Sequence, residues 1–340
     1  MEATRLNIPA LARLPRRRYF QGPSALEDLP RLTAELGGPR LMVKRDDQIG
    51  AAAGGNKTRH LEFELAEALQ ANADTVITTG AVQSNYLTMT LALANREGLA
   101  TRLVVEQRVP GSYREDANGN NFLFKLMGAE RVIILREGEP VAASMEREAQ
   151  AARREGRRPF VIPGGGSTPT GACGYVSGAL ELTRQWTDAG LKVDRVVCAS
   201  GSGGTHAGLL VGLALLDSSV RVTGISVRYD RPTQEARVRD LAAQTADLLG
   251  VDPQLHDDAV ECFDEWVGPG YSLPTPEMVA AVRRLARTEG LLLGPVYTGK
   301  AMAGLLGLIE RGAISADETV VFLHTGGVPS IFAFTDTLLG

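Results

Sequence analysis

The sequence predicts an α/β protein with two open, mainly parallel twisted sheets in two domains. Three observations predict it. From residue 56 onward, helical stretches alternate with short aliphatic runs, the pattern of parallel strands covered on both faces by crossover helices. A glycine-rich stretch, Gly164–Gly166, interrupts that alternation, after which it resumes. An early strand, "RLMVKRDD", has no neighbour in the first alternating unit, so its partners come from later in the chain.

The elements follow in order. "NKTRHLEFELAEALQANA", "SNYLTMTLALANREG", "NGNNFLFKLMGA" and "VAASMEREAQAARREG" carry helical spacing. Between and after them lie strands near residues 74–79, 101–106, 131–135 and 159–162. "DRVVCAS", "RVTGISV", "AVECFDEW" and "TVVFLHTGG" continue the series beyond Gly166, where the flexible glycines suit a domain crossing. The economical arrangement is a small domain, residues 55–164, inserted into a larger one made of residues 1–54 and 165–340.

Composition narrows the function classes. The 340 residues are 44% hydrophobic and 22% charged with a net charge of −4, which argues against a nucleic-acid binder. The cluster Arg16–Arg18 reads as a solvated face. Cys173, Cys198 and Cys262 are odd in number and widely spaced, unlike a disulfide framework or a metal site, and Cys198 reads as core packing. The first twenty residues lack a signal peptide's apolar centre, and Glu2 disfavours an organellar presequence. No apolar run is long enough to cross a membrane, so a reduced, cytoplasmic protein is expected.

The first chemical motif is "GGNKTRH", Gly54–His60. Asn56 reads as an N-cap, which puts Lys57 at the first position of a helix, where the macrodipole disfavours a cation. Two readings stand. A solvated Lys57 would cost only about 0.3–1 kcal/mol; a desolvated one with a lowered pKa is the side chain that forms Schiff bases. The second motif is "ASGSGGTHAGL": a strand ends at Ser200, Gly201–Gly204 turn, and a helix begins near Thr205. Such a turn aims backbone N–H groups at an anion. His206 replaces the third glycine of a dinucleotide fingerprint and the lysine of a P-loop is missing, so a single phosphate fits better. In "TTGAVQSNYLTMT", Gln83, Ser84 and Asn85 open a helix and suit a carboxylate. "GPVYTGKAMAGL" places Tyr297 before a helix from Thr298, and "HTGG" places Thr325 after a strand. All lie at C-terminal strand edges, where open α/β sheets bind ligands. A lysine, a monophosphate cradle and an amino-acid carboxylate site share one explanation, pyridoxal 5′-phosphate.

"GGNKTRHLEFELAEAL", "QSN", "IPGGGSTPTGACGYV", "ASGSGGTHAGL", "GPVYTGKAMAGL" and "HTGG" closely resemble the D-cysteine desulfhydrase and 1-aminocyclopropane-1-carboxylate deaminase family. These are pyridoxal-phosphate enzymes of the tryptophan-synthase-β-like fold, and the resemblance runs from about Lys44 to Phe334. It implies that Lys57 bonds the cofactor, that Gly201, Ser202, Gly203, Gly204 and Thr205 hold its phosphate, and that Asn85 sits beside its phenolic oxygen. It further implies Ser84 at the substrate, Tyr297 over the ring and Thr325 at the pyridine nitrogen.

The resemblance also bears on the reaction. In cyclopropane-opening members a glutamate follows the active-site tyrosine; here Thr298 stands there, and Thr325 is the other candidate partner of the ring nitrogen. Two neutral hydroxyls imply a weaker electron sink, which favours β-elimination over ring opening. The expected activity is therefore D-cysteine desulfhydration to sulfide, pyruvate and ammonia, with Lys57 or Tyr297 removing the α-proton. The alternatives are an L-cysteate sulfo-lyase or 1-aminocyclopropane-1-carboxylate deaminase and, outside catalysis, an amino-acid sensor, against which Lys57 argues. Tyr86 replaces the usual histidine of Gln-Ser-Asn-His and lies next to the proposed carboxylate site. Arg59, Arg108 and Arg114 read as surface residues. The expected partner is a small amino-acid substrate, without nucleic acid, membrane or metal, in a homodimer.

Overall fold

The computed structural model describes residues 6–116, 118–256 and 258–340; the reading of Glu2 lies outside them. Among the described residues no helix is long and apolar enough to cross a membrane. Among the described residues, ten strands form two sheets. The larger contains β1 (Leu26–Asp28), β2 (Arg40–Lys44), β7 (Arg195–Ser200), β8 (Arg221–Ser226), β9 (Glu261–Phe263) and β10 (Thr319–Leu323). Their order is β1-β2-β10-β7-β8-β9. The smaller contains β3 (Thr75–Ala81), β4 (Ala100–Glu106), β5 (Arg131–Ile134) and β6 (Pro159–Ile162) in the order β5-β4-β3-β6. All pairings are parallel except β1 against β2. As the sequence requires, β2 pairs with β10 from the far end of the chain. The antiparallel edge β1 was not legible, because three residues are too few for a periodicity.

The aliphatic runs divide by the period of two that a strand imposes. Met42, Val196, Cys198, Val321 and Leu323 pack on one face of the larger sheet. Leu41, Val43, Val197, Ala199, Val320 and Phe322 pack on the other. The smaller sheet divides likewise, with Val76, Leu103 and Val105 on one face and Ile77 and Val104 on the other. Cys173, Cys198 and Cys262 are buried free thiols.

One helix joins the two layers. In Lys57–Gln70, Leu61 and Leu65 pack with the smaller sheet's core, whereas Phe63 packs with the larger sheet's. Arg59 corrects the expectation of a surface residue: it is completely buried. Its Nε and Nη2 donate to Asp46 at 2.7 and 2.8 Å, and its Nη1 and Nη2 to Glu181 at 2.9 and 2.8 Å. Burial pushes the Asp46 carboxyl upward, but Arg59 and Lys44 outweigh it and hold the group below its ordinary range. Lys44 closes the network by donating to Glu181 at 2.6 Å and to Gln185 at 2.5 Å. Arg16 likewise leaves the predicted solvated face, its Nε donating to Glu62 at 2.7 Å, while Arg17 and Arg18 stay exposed.

Removing one member of such a network strands the others in a poor solvent for charge. Arg59→Ala is expected to lower unfolding stability by about 3–5 kcal/mol, measured by urea denaturation of the cofactor-free protein. A loss under about 1 kcal/mol would show an ion network of only surface strength.

Candidate active site

The C-terminal edges of the two sheets face a common cleft of about 380 Å³. Lys57, Ser84, Asn85, Tyr86, Gly201, Ser202, Gly203, Thr205, Tyr297 and Thr325 all line it. All but Tyr297 come from segments that follow a strand: β2 leads to Lys57, β3 to Ser84, β7 to Gly201 and β10 to Thr325, whereas Tyr297 follows the Pro276–Thr288 helix and corrects the expectation of a strand edge there.

Lys57 opens its helix as expected, and its Nζ donates to the Gly165 carbonyl at 2.7 Å. Burial drives the ammonium pKa down to about 8, opposed by the nearby Glu64 carboxyl. At that value roughly a tenth of the amine is neutral at pH 7, so desolvation makes free amine available at the positive helix end while the ammonium still predominates. Asn56 departs from its expected role. It has helical backbone angles, φ −58° and ψ −23°, and makes no side-chain cap. Its N–H donates to the Thr325 carbonyl at 3.2 Å and its Nδ2 to Thr205 Oγ1 at 2.9 Å. The side chain fastens the lysine's helix to the glycine turn instead of capping it.

In that turn Gly203 has φ +95°, a left-handed conformation that favours glycine, and the Gly204–Ala214 helix starts directly after it. The helix is uncapped by any side chain from Gly203, so its first N–H groups look for outside acceptors. Gly204 is the exception: its N–H donates to Ser167 Oγ at 3.2 Å, and it is outside the cleft lining. A Cβ there would stand 2.9 Å from both His60 Cε1 and Ser167 Oγ. His206 turns inward, its Nδ1 3.2 Å from Ser200 Oγ, and burial holds its pKa down to about 4.

Ser84 caps the Asn85–Arg96 helix, accepting from Leu87 N at 3.3 Å. Asn85 Nδ2 donates to the Gly54 carbonyl at 3.2 Å, and its buried Oδ1 has no hydrogen-bond partner among the described residues. Tyr86 is buried, its hydroxyl 3.1 Å from Thr78 Oγ1, which donates to the Ile162 carbonyl at 2.8 Å.

Tyr297 does not precede a helix from Thr298. Pro295–Gly299 forms a π-helical turn and the α-helix begins at Lys300. That turn buries Thr298 completely, and its hydroxyl donates to the carbonyls of Gly294 at 3.1 Å and Gly326 at 3.4 Å. Thr298 thus braces two backbone segments from outside the lining, whereas Tyr297 and Thr325 face the cleft.

Sequence reasoning missed Tyr271. Its hydroxyl donates to Tyr297 Oη at 3.1 Å, with the rings edge-to-face at 5.9 Å. The signal was faint, a tyrosine in a glycine- and proline-rich loop, "GPGYSLP". Arg108 also departs from the surface expectation: it lines the cleft, lies 4.5 Å over the Tyr271 ring and donates to Glu106 at 2.9 Å. Arg114 is exposed beside Asp116. The bond from Tyr271 fixes the orientation of the Tyr297 hydroxyl at the cleft, which suits a phenol placed to give and take a proton.

The family model described as "Pyridoxal-phosphate dependent enzyme" matches residues 18–326. D-cysteine desulfhydrase of Klebsiella pneumoniae subsp. pneumoniae is 40% identical over 331 residues, 97% of this chain and 99% of that protein. That of Salmonella paratyphi C is 40% identical over 326 residues, 95% and 97% of the two chains. A solved structure of an "ACC deaminase homologue" superposes with a TM-score of 0.88 at 36% identity, covering 98% of each chain. An O-ureido-L-serine synthase, at a TM-score of 0.64 and 16% identity, shares the fold.

Gly203→Ala tests the turn. A Cβ there would meet nothing nearer than 3.7 Å, so the substitution acts through the φ of +95° alone. Strain of about 1–2 kcal/mol is expected to shift the turn and weaken pyridoxal-phosphate binding roughly tenfold, measured by fluorescence titration. Unchanged affinity in the folded variant would make the turn a connector only.

Proposed function

Because the chain belongs to the pyridoxal-phosphate dependent enzyme family, we propose that Lys57 is its cofactor lysine and that the cleft carries out β-elimination on D-cysteine, releasing sulfide, pyruvate and ammonia. The observation that carries this reading is the Lys57 amine, its pKa lowered to about 8 by desolvation, opening into the cleft beside an uncapped, glycine-preceded helix start. The donor set suits the cofactor: one amine for an aldehyde, backbone N–H groups with Ser202 and Thr205 for a phosphate, and the unpartnered Asn85 Oδ1 for a ring substituent. Gly201, Gly203 and Gly204 keep the phosphate turn slender, and Thr325 is the candidate neighbour of the ring nitrogen.

When bound, pyridoxal 5′-phosphate supplies an aldehyde for the substrate amine and a conjugated ring that takes up the electron pair left at Cα. The remaining steps belong to the protein. Ser84 and the first N–H groups of its helix orient the substrate carboxylate, with Tyr86 forming the adjacent wall. Lys57 Nζ and Tyr297 Oη are the two proton carriers at Cα and at the departing group, and Tyr271 holds the Tyr297 hydroxyl in place. The Cα–H bond breaks, its pair forms the Cα–Cβ double bond, and sulfur leaves Cβ as hydrosulfide. Water then releases ammonia and yields pyruvate. With Thr298 turned into the backbone, the neutral Thr325 hydroxyl is the remaining candidate beside the ring nitrogen, which supports elimination over cyclopropane opening.

We also propose that residues 55–164 form the smaller inserted domain and 1–54 with 165–340 the larger, since the smaller sheet falls wholly within the first range. Three buried thiols suit a cytoplasmic setting, and exposed Phe122, Leu126 and Phe332 offer apolar surface for a homodimer.

The test is pyruvate release from D-cysteine, L-cysteate and 1-aminocyclopropane-1-carboxylate by the wild type and Lys57→Ala. D-cysteine should give the highest kcat/KM, and the variant should lose the cofactor's long-wavelength absorbance and at least about 10³-fold in turnover. Near-normal turnover in Lys57→Ala would overturn the assignment of the lysine. Turnover by the wild type on another substrate alone would move the activity to that substrate.

A further inference from the structure

A second titratable group stands behind the lysine on the same helix. Glu64 lies seven residues, two turns, beyond Lys57 and so shares its face. It is buried, 2% exposed, and among the described residues Lys57 is the only cation that acts on it. Its Oε1 accepts from Thr168 Oγ1 at 3.0 Å, while Oε2 has no hydrogen-bond partner among the described residues. A Cβ built on Gly166 would stand 2.5 Å from that Oε2. Glu64 therefore presses against the turn whose Gly165 carbonyl accepts from Lys57 Nζ at 2.7 Å.

The other titratable groups around the carboxyl are His60, Tyr86 and Glu67. Burial and the Lys57 charge hold His60 on this helix well below its ordinary pKa, and its Nδ1 has no partner among the described residues. Tyr86 on the neighbouring helix, whose ring centre is 5.9 Å from Lys57 Nζ, is kept protonated by burial and by Glu64. Glu67, one turn further, is a like charge that favours the protonated form of Glu64. From the start of the Pro169–Asp188 helix, only the Thr168 hydroxyl reaches the carboxyl with a hydrogen bond.

We propose that Glu64 is a positioning residue that serves Lys57 as a titratable counter-charge, favouring the lysine's ammonium when ionised and its free amine when protonated. The proposal rests on the reading of Lys57 as the reactive lysine, which must pass between amine and ammonium each time it carries a proton. A permanent carboxylate would lock the ammonium in place, and an apolar neighbour would oppose its formation. Burial pushes the Glu64 carboxyl up to about 8, opposed by Thr168 and Lys57, so the two groups titrate in the same range. Their proton affinities are thus linked, each charge favouring the other.

The test uses the cofactor-free, full-length protein. Acetylation of Lys57 by acetic anhydride is followed by mass spectrometry from about pH 6 to about pH 10 in wild type, Glu64→Gln and Glu64→Leu. Exposed Lys125 and Lys192 serve as internal references. Without the carboxyl the ammonium loses its counter-charge, so both variants should label at lower pH, roughly three- to tenfold faster near neutrality. Gln keeps an acceptor for Thr168; a purely structural role would lower the melting temperature of the Leu variant and leave the Gln labelling curve in place. An unmoved or upward-shifted curve in folded Glu64→Gln overturns the proposal. The wild-type curve decides independently, since coupling must broaden it beyond a one-proton titration and a simple one-proton curve would contradict it. Protection of Lys57 by pyridoxal 5′-phosphate in the same assay reports separately on whether this lysine takes the cofactor.

Discussion

A half-buried amine at the positive end of a helix, facing a cleft, is the constraint around which this protein is arranged. Lys57 meets one carbonyl, that of Gly165, and opens into the cleft. Two other lysines are more deeply buried and show the alternative. Lys44 donates to Ser24, Glu181 and Gln185, and is fully tied. Lys300 also begins a helix, and burial brings its pKa down to about 8, yet its Nζ donates to the carbonyls of Val267 and Gly270. A depressed pKa alone therefore does not make a lysine reactive. What separates Lys57 is the cleft.

The fold supplies that cleft by bringing the C-terminal edges of two parallel sheets face to face. The Lys57–Gln70 helix is wedged between them, with Leu61 and Leu65 in one core and Phe63 in the other. The Arg59 network with Asp46 and Glu181 fixes the helix against the larger sheet, and Asn56 fastens its start to Thr205. The position of the amine is thus set from both sides, so the burial that lowers the lysine's pKa also aims it.

Much of this was legible because it follows local rules. The strands showed through short aliphatic runs alternating with helices, the cross-chain pairing of β2 through its lack of a neighbour, and the anion turn through its cluster of glycines, of which Gly203 takes the left-handed bend. The failures were tertiary. Asn56 had the composition of a cap, but the Thr205 hydroxyl competed for its side chain. Thr298 stood beside the active tyrosine in sequence, but a π turn swings its hydroxyl into the backbone. Arg59 and Arg108 were indistinguishable from surface arginines because their carboxylate partners lie on other elements or in an unremarkable Glu-Gln-Arg run. Tyr271 joins Tyr297 across 26 residues of loop and helix, which no window of sequence can display.

The central claim is that Lys57 is the lysine that bonds the cofactor, and one experiment addresses it without reference to any substrate. The cofactor-loaded protein is reduced with borohydride, digested, and mapped by mass spectrometry for the pyridoxyl-phosphate adduct. The adduct is expected on the peptide that contains Lys57 and on that residue within it. An adduct on Lys300, the other lysine that burial brings into the reactive range, or on Lys44 would contradict the account.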